Sequence, residues 1–80
     1  MENKKIKVTK KIEGRDVADV VFHANKFKSH VYLKTGTYNF NIKSLMGMFA
    51  LNLEPNMEIL IETEGEDEQE AMHQMIEIFG

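Results

Sequence analysis

The chain contains no cysteine, and its only proline is Pro55. Without cysteine there is no disulfide and no thiolate metal site, and nothing points to an oxidising compartment. No apolar run approaches the length needed to span a bilayer. The opening Met1-Glu2-Asn3-Lys4-Lys5 is basic but leads into no apolar core of a secretory signal, so the cytoplasm is the expected location, with no membrane partner. No Gly-x-Ser-x-Gly, P-loop or dinucleotide fingerprint is present, so no enzyme active site and no cofactor are expected. His23, His30 and His73 fall on three different elements without metal-ligand spacing, and read as surface or edge histidines. The acidic run from Glu62 to Glu70 lacks the ligand spacing of a calcium loop.

Lysine and arginine are absent after Lys43, while most acids lie from Glu54 onward. The net charge of −3 hides this asymmetry. A basic first strand pairing with an acidic late strand would account for it by opposite charges across the ladder. No stacking aromatics accompany the lysines and the chain is acidic overall, so no nucleic-acid partner is expected.

What is present is 80 residues with 42% hydrophobic and 29% charged side chains. That is one domain, residues 1–80, with one modest core. Lys4 to Lys10 alternates with Ile6 and Val8 on one face, which reads as a half-buried strand. From Arg15 to Asn25, Val17, Val20, Val21 and Ala24 form a helical stripe, with Asp16 early in the helix, where a negative charge suits its dipole. His30–Lys34 and Tyr38–Ile42 read as strands around Thr35-Gly36-Thr37, a hairpin. Met57–Thr63 is a strand with Met57, Ile59 and Ile61 inward. Asp67-Glu68-Gln69-Glu70 resembles an Asp-based capping box opening a last helix, whose apolar face is Ala71, Met72, Met75, Ile76, Ile78 and Phe79. The order β-α-β-β-α-β-α, with alternating strands and helices that need a sheet, predicts an α+β open-faced sandwich: four antiparallel strands with the helices on one face.

Ser44 stands where the alternating pattern stops and the apolar segment Leu45–Leu51 begins. A serine there is a natural N-cap. A two-turn helix cannot bury all of Leu45, Met46, Met48 and Phe49, so part of that cluster is expected to stay exposed as a partner-binding patch. Filling the core is the plain alternative for each methionine.

Lys43-Ser44-Leu45-Met46-Gly47-Met48-Phe49-Ala50-Leu51 resembles the Lys-Ser-Ile-Met-Gly-Val-Met-Ser-Leu stretch of HPr, the histidine-containing phosphocarrier of the bacterial sugar phosphotransferase system. Ala24-Asn25-Lys26-Phe27 and Gly65-Glu66-Asp67-Glu68-Gln69-Glu70-Ala71 resemble further segments of that family, and the ungapped similarity runs from about Ile12 to Phe79. The family's βαββαβα sandwich is the order read above. The resemblance places Glu13, in Ile12-Glu13-Gly14-Arg15-Asp16, at the family's active histidine. It matches Arg15 to the motif's arginine and Asp16 to its proline. A carboxylate is no substitute for an imidazole as a reversible phosphoryl relay, so the resemblance implies a variant without the carrier activity. Glu13 either imitates the charged state or merely sits well at the helix dipole.

Ser44 matches the family's regulatory serine. The resemblance therefore implies a catabolite-repression HPr-like protein: non-catalytic, phosphorylated on Ser44 by HPr kinase/phosphorylase, and bound by a catabolite-control transcription factor through Arg15, Leu45, Met46, Met48 and Phe49. Two alternatives stay open. One is a degenerate HPr-fold interaction module with no serine signalling. The other is a residual phosphocarrier using another residue such as His23.

Overall fold

The computed structural model describes every residue, Met1–Gly80. Its elements are β1 (Glu2–Lys7), α1 (Arg15–Ala24), β2 (His30–Thr35), β3 (Tyr38–Asn41), α2 (Leu45–Met48), β4 (Glu58–Glu64) and α3 (Glu68–Phe79). The four strands form one sheet in the order β1-β4-β2-β3, and every neighbouring pair is antiparallel. This is the expected open-faced sandwich. The helices bury their apolar stripes on one face, and the alternating strands leave the other face to water.

Val17, Val20, Val21 and Ala24 of α1 are buried, as their spacing predicts, and Ala71, Met72, Met75 and Phe79 do the same on α3. They pack with Ile6, Val31, Leu33, Ile59 and Ile61 of the sheet in a single core. Each of these side chains except the two alanines contributes about 1.5–3 kcal/mol on burial. The half-buried Ile76 and Ile78 flank that core without completing it. No helix is long and apolar enough to cross a membrane.

Several boundaries differ from the sequence reading for identifiable reasons. β1 starts earlier because Glu2 and Asn3 pair with Thr63 and Glu62 of β4. Past Lys7 the ladder is distorted: the Val8 N–H still bonds the Met57 carbonyl opposite it, but the Val8 carbonyl accepts from the Asn56 N–H while the Met57 N–H turns to the Glu54 carbonyl, and the Thr9 N–H bonds the Phe79 carbonyl. The hairpin between β2 and β3 has Thr35 opposite Tyr38, so its loop is only Gly36-Thr37. Gly36, at φ 58°, supplies the positive φ that such a two-residue loop needs at its first position. The apolar stretch after Ser44 makes a single helical turn and then bends away, with Leu51 N–H on the Met48 carbonyl.

The proposed charge ladder forms only in part. β1 and β4 do pair, but opposite charges face each other only at Lys7 and Glu58; Lys5 stands opposite Leu60. Glu62 finds its cation on the other side, in Lys34 of β2 at 3.0 Å.

Asp67 is not the capping side chain that its position suggested. No side chain caps α3. The Asp67 carboxylate instead reaches across to the segment before β2, accepting from the Ser29 hydroxyl and from the Ser29 and Lys28 N–H groups, the latter two at 2.9 Å. These donors, the Ser29 hydroxyl first, hold its carboxyl down to about 2. Gly65 allows the approach: at φ 149°, a Cβ on it would lie 2.7 Å from the Ser29 Cα. Glu68 turns back to accept from the Gly65 N–H at 3.1 Å and pairs with the N-terminal ammonium at 3.0 Å.

Candidate functional site

The candidate site is assembled along α1, with the turn before α2 held at the C-terminal end of α1 and Leu45 and Phe49 lying against its start. After β3, the Asn41 side chain accepts from the Lys43 N–H at 3.0 Å, and the Asn41 carbonyl accepts from the Ser44 N–H at 3.0 Å. This turn presents Ser44 in an extended conformation as the N-cap of α2. Its hydroxyl accepts from the Gly47 N–H at 3.0 Å, satisfying one of the open donors of the first turn.

Contacts that sequence spacing does not reveal fix this platform. The Lys43 ammonium donates to the Phe27 carbonyl at 2.8 Å and the Ser29 carbonyl at 3.2 Å. The Asn25 amide donates to the Lys43 carbonyl at 3.0 Å and to the Val21 carbonyl at 2.9 Å. Ser44 is thereby tied to the C-terminal end of α1 through its neighbour in the chain. Lys43 and Asn25 were not singled out as site residues, because bonds to distant carbonyls carry no local signature.

The apolar cluster divides. Met46 is 86% exposed, Phe49 79% and Leu45 50%, whereas Met48 is 0% exposed and belongs to the core. The proposed contact surface therefore loses Met48. In a single turn, the one position facing the sheet must plug the core, and Met48 occupies it. The surface gains residues from α1 instead: Gly14, Val17 and Ala18 line a groove of about 270 Å³ together with Leu45 and Phe49. The nearby exposed Ala18 was not legible as a site residue, since a lone alanine off the apolar stripe carries no signal.

Arg15 is the first residue of α1, exposed and without an ion pair, next in the chain to the groove-lining Gly14. Gly14 occupies the N-cap position of α1, so no side chain caps that helix. Glu13 is exposed and engaged: its carboxylate pairs with Lys11 at 3.2 Å, and Lys11 also meets Glu54 at 3.5 Å. The bridge between Ile12 and Leu53 sets these two loops side by side. The hydrogen bond and charge of Glu13, then the charge of Glu54, push the Lys11 ammonium above its ordinary range. Of the histidines, His23 is half-buried, with its Nδ1 enclosed and lacking a hydrogen-bond partner.

A four-stranded antiparallel sheet with three helices on one face, and a serine-capped turn packed against α1, define an α+β open-faced sandwich. The chain belongs to the HPr family: the family profile described as "PTS HPr component phosphorylation site" matches residues 2–80. It is 36% identical over 71 residues to the HPr-like protein Crh of Halalkalibacterium halodurans, covering 89% of this chain and 84% of that one. It is 35% identical over 77 residues to the HPr-like protein Crh of Bacillus subtilis, covering 94% and 91%. The structure superposes on the crystal structure of the phosphocarrier protein HPr from Bacillus anthracis with a TM-score of 0.90 at 27% identity, covering 99% of this chain and 96% of that one.

Proposed function

We propose that this protein is a non-catalytic, regulatory member of the HPr family, phosphorylated on Ser44 by HPr kinase/phosphorylase. It acts in carbon catabolite control by binding a transcription factor through Arg15, Leu45, Met46 and Phe49. The observation that carries this reading is the pairing of a capping serine with three exposed apolar side chains on the same turn, next to the uncapped, arginine-bearing start of α1. A phosphate on Ser44 adds roughly −1.5 to −2 charge where a helix N-terminus tolerates it, and offers acceptors to a partner's arginines without melting the turn. Leu45, Met46 and Phe49 supply area to be desolvated. The likeness to two proteins named HPr-like protein Crh supports the same reading.

Glu13 supports the non-carrier half of the proposal. It stands where the family resemblance puts the active histidine, and its carboxylate is held by Lys11. The test is partner binding. Phosphorylation of Ser44 should raise affinity for a catabolite-control transcription factor, the gain should vanish in Ser44→Ala, and Phe49→Ala should weaken it. Equal affinity of the phosphorylated and unphosphorylated forms sinks the reading.

One observation favours a second reading, an interaction module without serine signalling: the Ser44 hydroxyl already has a structural task as acceptor for Gly47. That module binds its partner equally well with Ser44→Asp.

A further inference from the structure

We propose that Met46 is an oxidation site whose conversion to the sulfoxide disables the Ser44 recognition surface. The six methionines have unequal access to solvent oxidants. Met48 and Met75 are fully buried and Met72 nearly so. Met57 is half-buried, and its sulfur accepts from the Glu54 N–H at 3.1 Å. Only Met1 and Met46 are widely exposed. Met1 belongs to β1's end of the molecule, its ammonium paired with Glu68. Met46 lies two residues from Ser44, between Leu45 and Phe49. It is the one accessible thioether on the recognition surface, and oxidation follows access.

The oxidant is hydrogen peroxide. The Met46 sulfur forms a bond to one peroxide oxygen as the O–O bond breaks. The transferred hydroxyl gives its proton to the departing hydroxide, leaving a sulfoxide and water; sulfur is oxidised by two electrons and the peroxide is reduced. The fold survives, because the turn is held by backbone and Ser44 contacts in which the Met46 side chain takes no part. The docking face does not, because a strongly polar sulfoxide must be desolvated wherever the thioether was to be buried.

The functional half of this proposal rests on the Ser44 reading. The experiment treats the full chain with hydrogen peroxide, maps sulfoxides by peptide mass spectrometry, and measures Ser44 phosphorylation by HPr kinase/phosphorylase. Sulfoxide should form at Met46 and Met1 before Met48, Met72 and Met75. Phosphorylation of the oxidised protein should slow by roughly three- to tenfold, the loss expected when one apolar contact is spoiled. Methionine sulfoxide reductases with a dithiol should restore it, and Met46→Leu, still oxidised at Met1, should keep its untreated rate. The proposal is overturned if Met46 is oxidised no faster than the buried methionines, or if Met46→Leu loses as much rate as the unmodified sequence. An untreated protein that the kinase ignores removes the Ser44 reading and the coupling with it, while the peptide map still decides whether Met46 is the oxidation site.

Discussion

The Ser44 hydroxyl accepts a hydrogen bond from the Gly47 N–H at 3.0 Å, so the residue offered for modification also holds the turn that displays its neighbours. Ser44→Ala should therefore cost stability, about 0.5–2 kcal/mol, while Ser44→Asp, an equally good cap, should cost little. Urea unfolding of the three proteins checks this, and equal midpoints for Ala and Asp would show that the cap is idle.

The split within the apolar turn has a sharp energetic consequence. Met48→Ala should destabilise by about 2–5 kcal/mol, because it opens a cavity under α2. Met46→Ala, at an exposed position, should stay within roughly 0.5 kcal/mol. Thermal unfolding of both variants separates the core methionine from the surface one, and similar losses would contradict the orientation of α2.

The Asp67 clamp predicts an acid-sensitive stability. Its carboxyl is lowered from an ordinary 3.8 to about 2 in the fold, chiefly by the Ser29 hydroxyl. A depressed carboxyl stabilises the fold fully above its unfolded pKa and loses that contribution as pH falls through the folded one. Denaturation midpoints should drop between about pH 4 and pH 2, and Asp67→Asn should lower the midpoint at neutral pH and flatten this limb. An unchanged acid limb in Asp67→Asn would show that other carboxylates govern it.

The proposed absence of phosphoryl carriage is also directly checkable. With enzyme I and phosphoenolpyruvate the protein should take up no label, at His23 or elsewhere. His23 lies about two turns into α1, beyond the first-turn N–H groups that are free to hold a phosphate, and its Nδ1 is enclosed. Acid-labile label on any histidine would restore the carrier reading.

Those elements whose apolar spacing repeats were legible in the sequence. Val17, Val20, Val21 and Ala24 marked both the existence and the buried face of α1, and the alternation through Ile59 and Ile61 marked β4. Ser44 was legible as a cap because a cap is a local bond. Asp67 was misread for the converse reason: its local setting suits a cap, but a stronger set of donors reaches it from Lys28 and Ser29, distant in sequence. Met48 and Met46 could not be separated beforehand, because one helical turn has too few residues for a periodicity. Lys43, Asn25 and the groove between α1 and α2 exist only once the helices are docked.

The most direct measurement is the intact mass of the protein after incubation with HPr kinase/phosphorylase and ATP, under conditions that fully modify an HPr with a regulatory serine. A gain of one phosphate, mapped to Ser44 and absent in a folded Ser44→Ala protein, is the predicted result. No gain, or a phosphate at another residue, contradicts the proposal that this surface is a serine-phosphorylated recognition site.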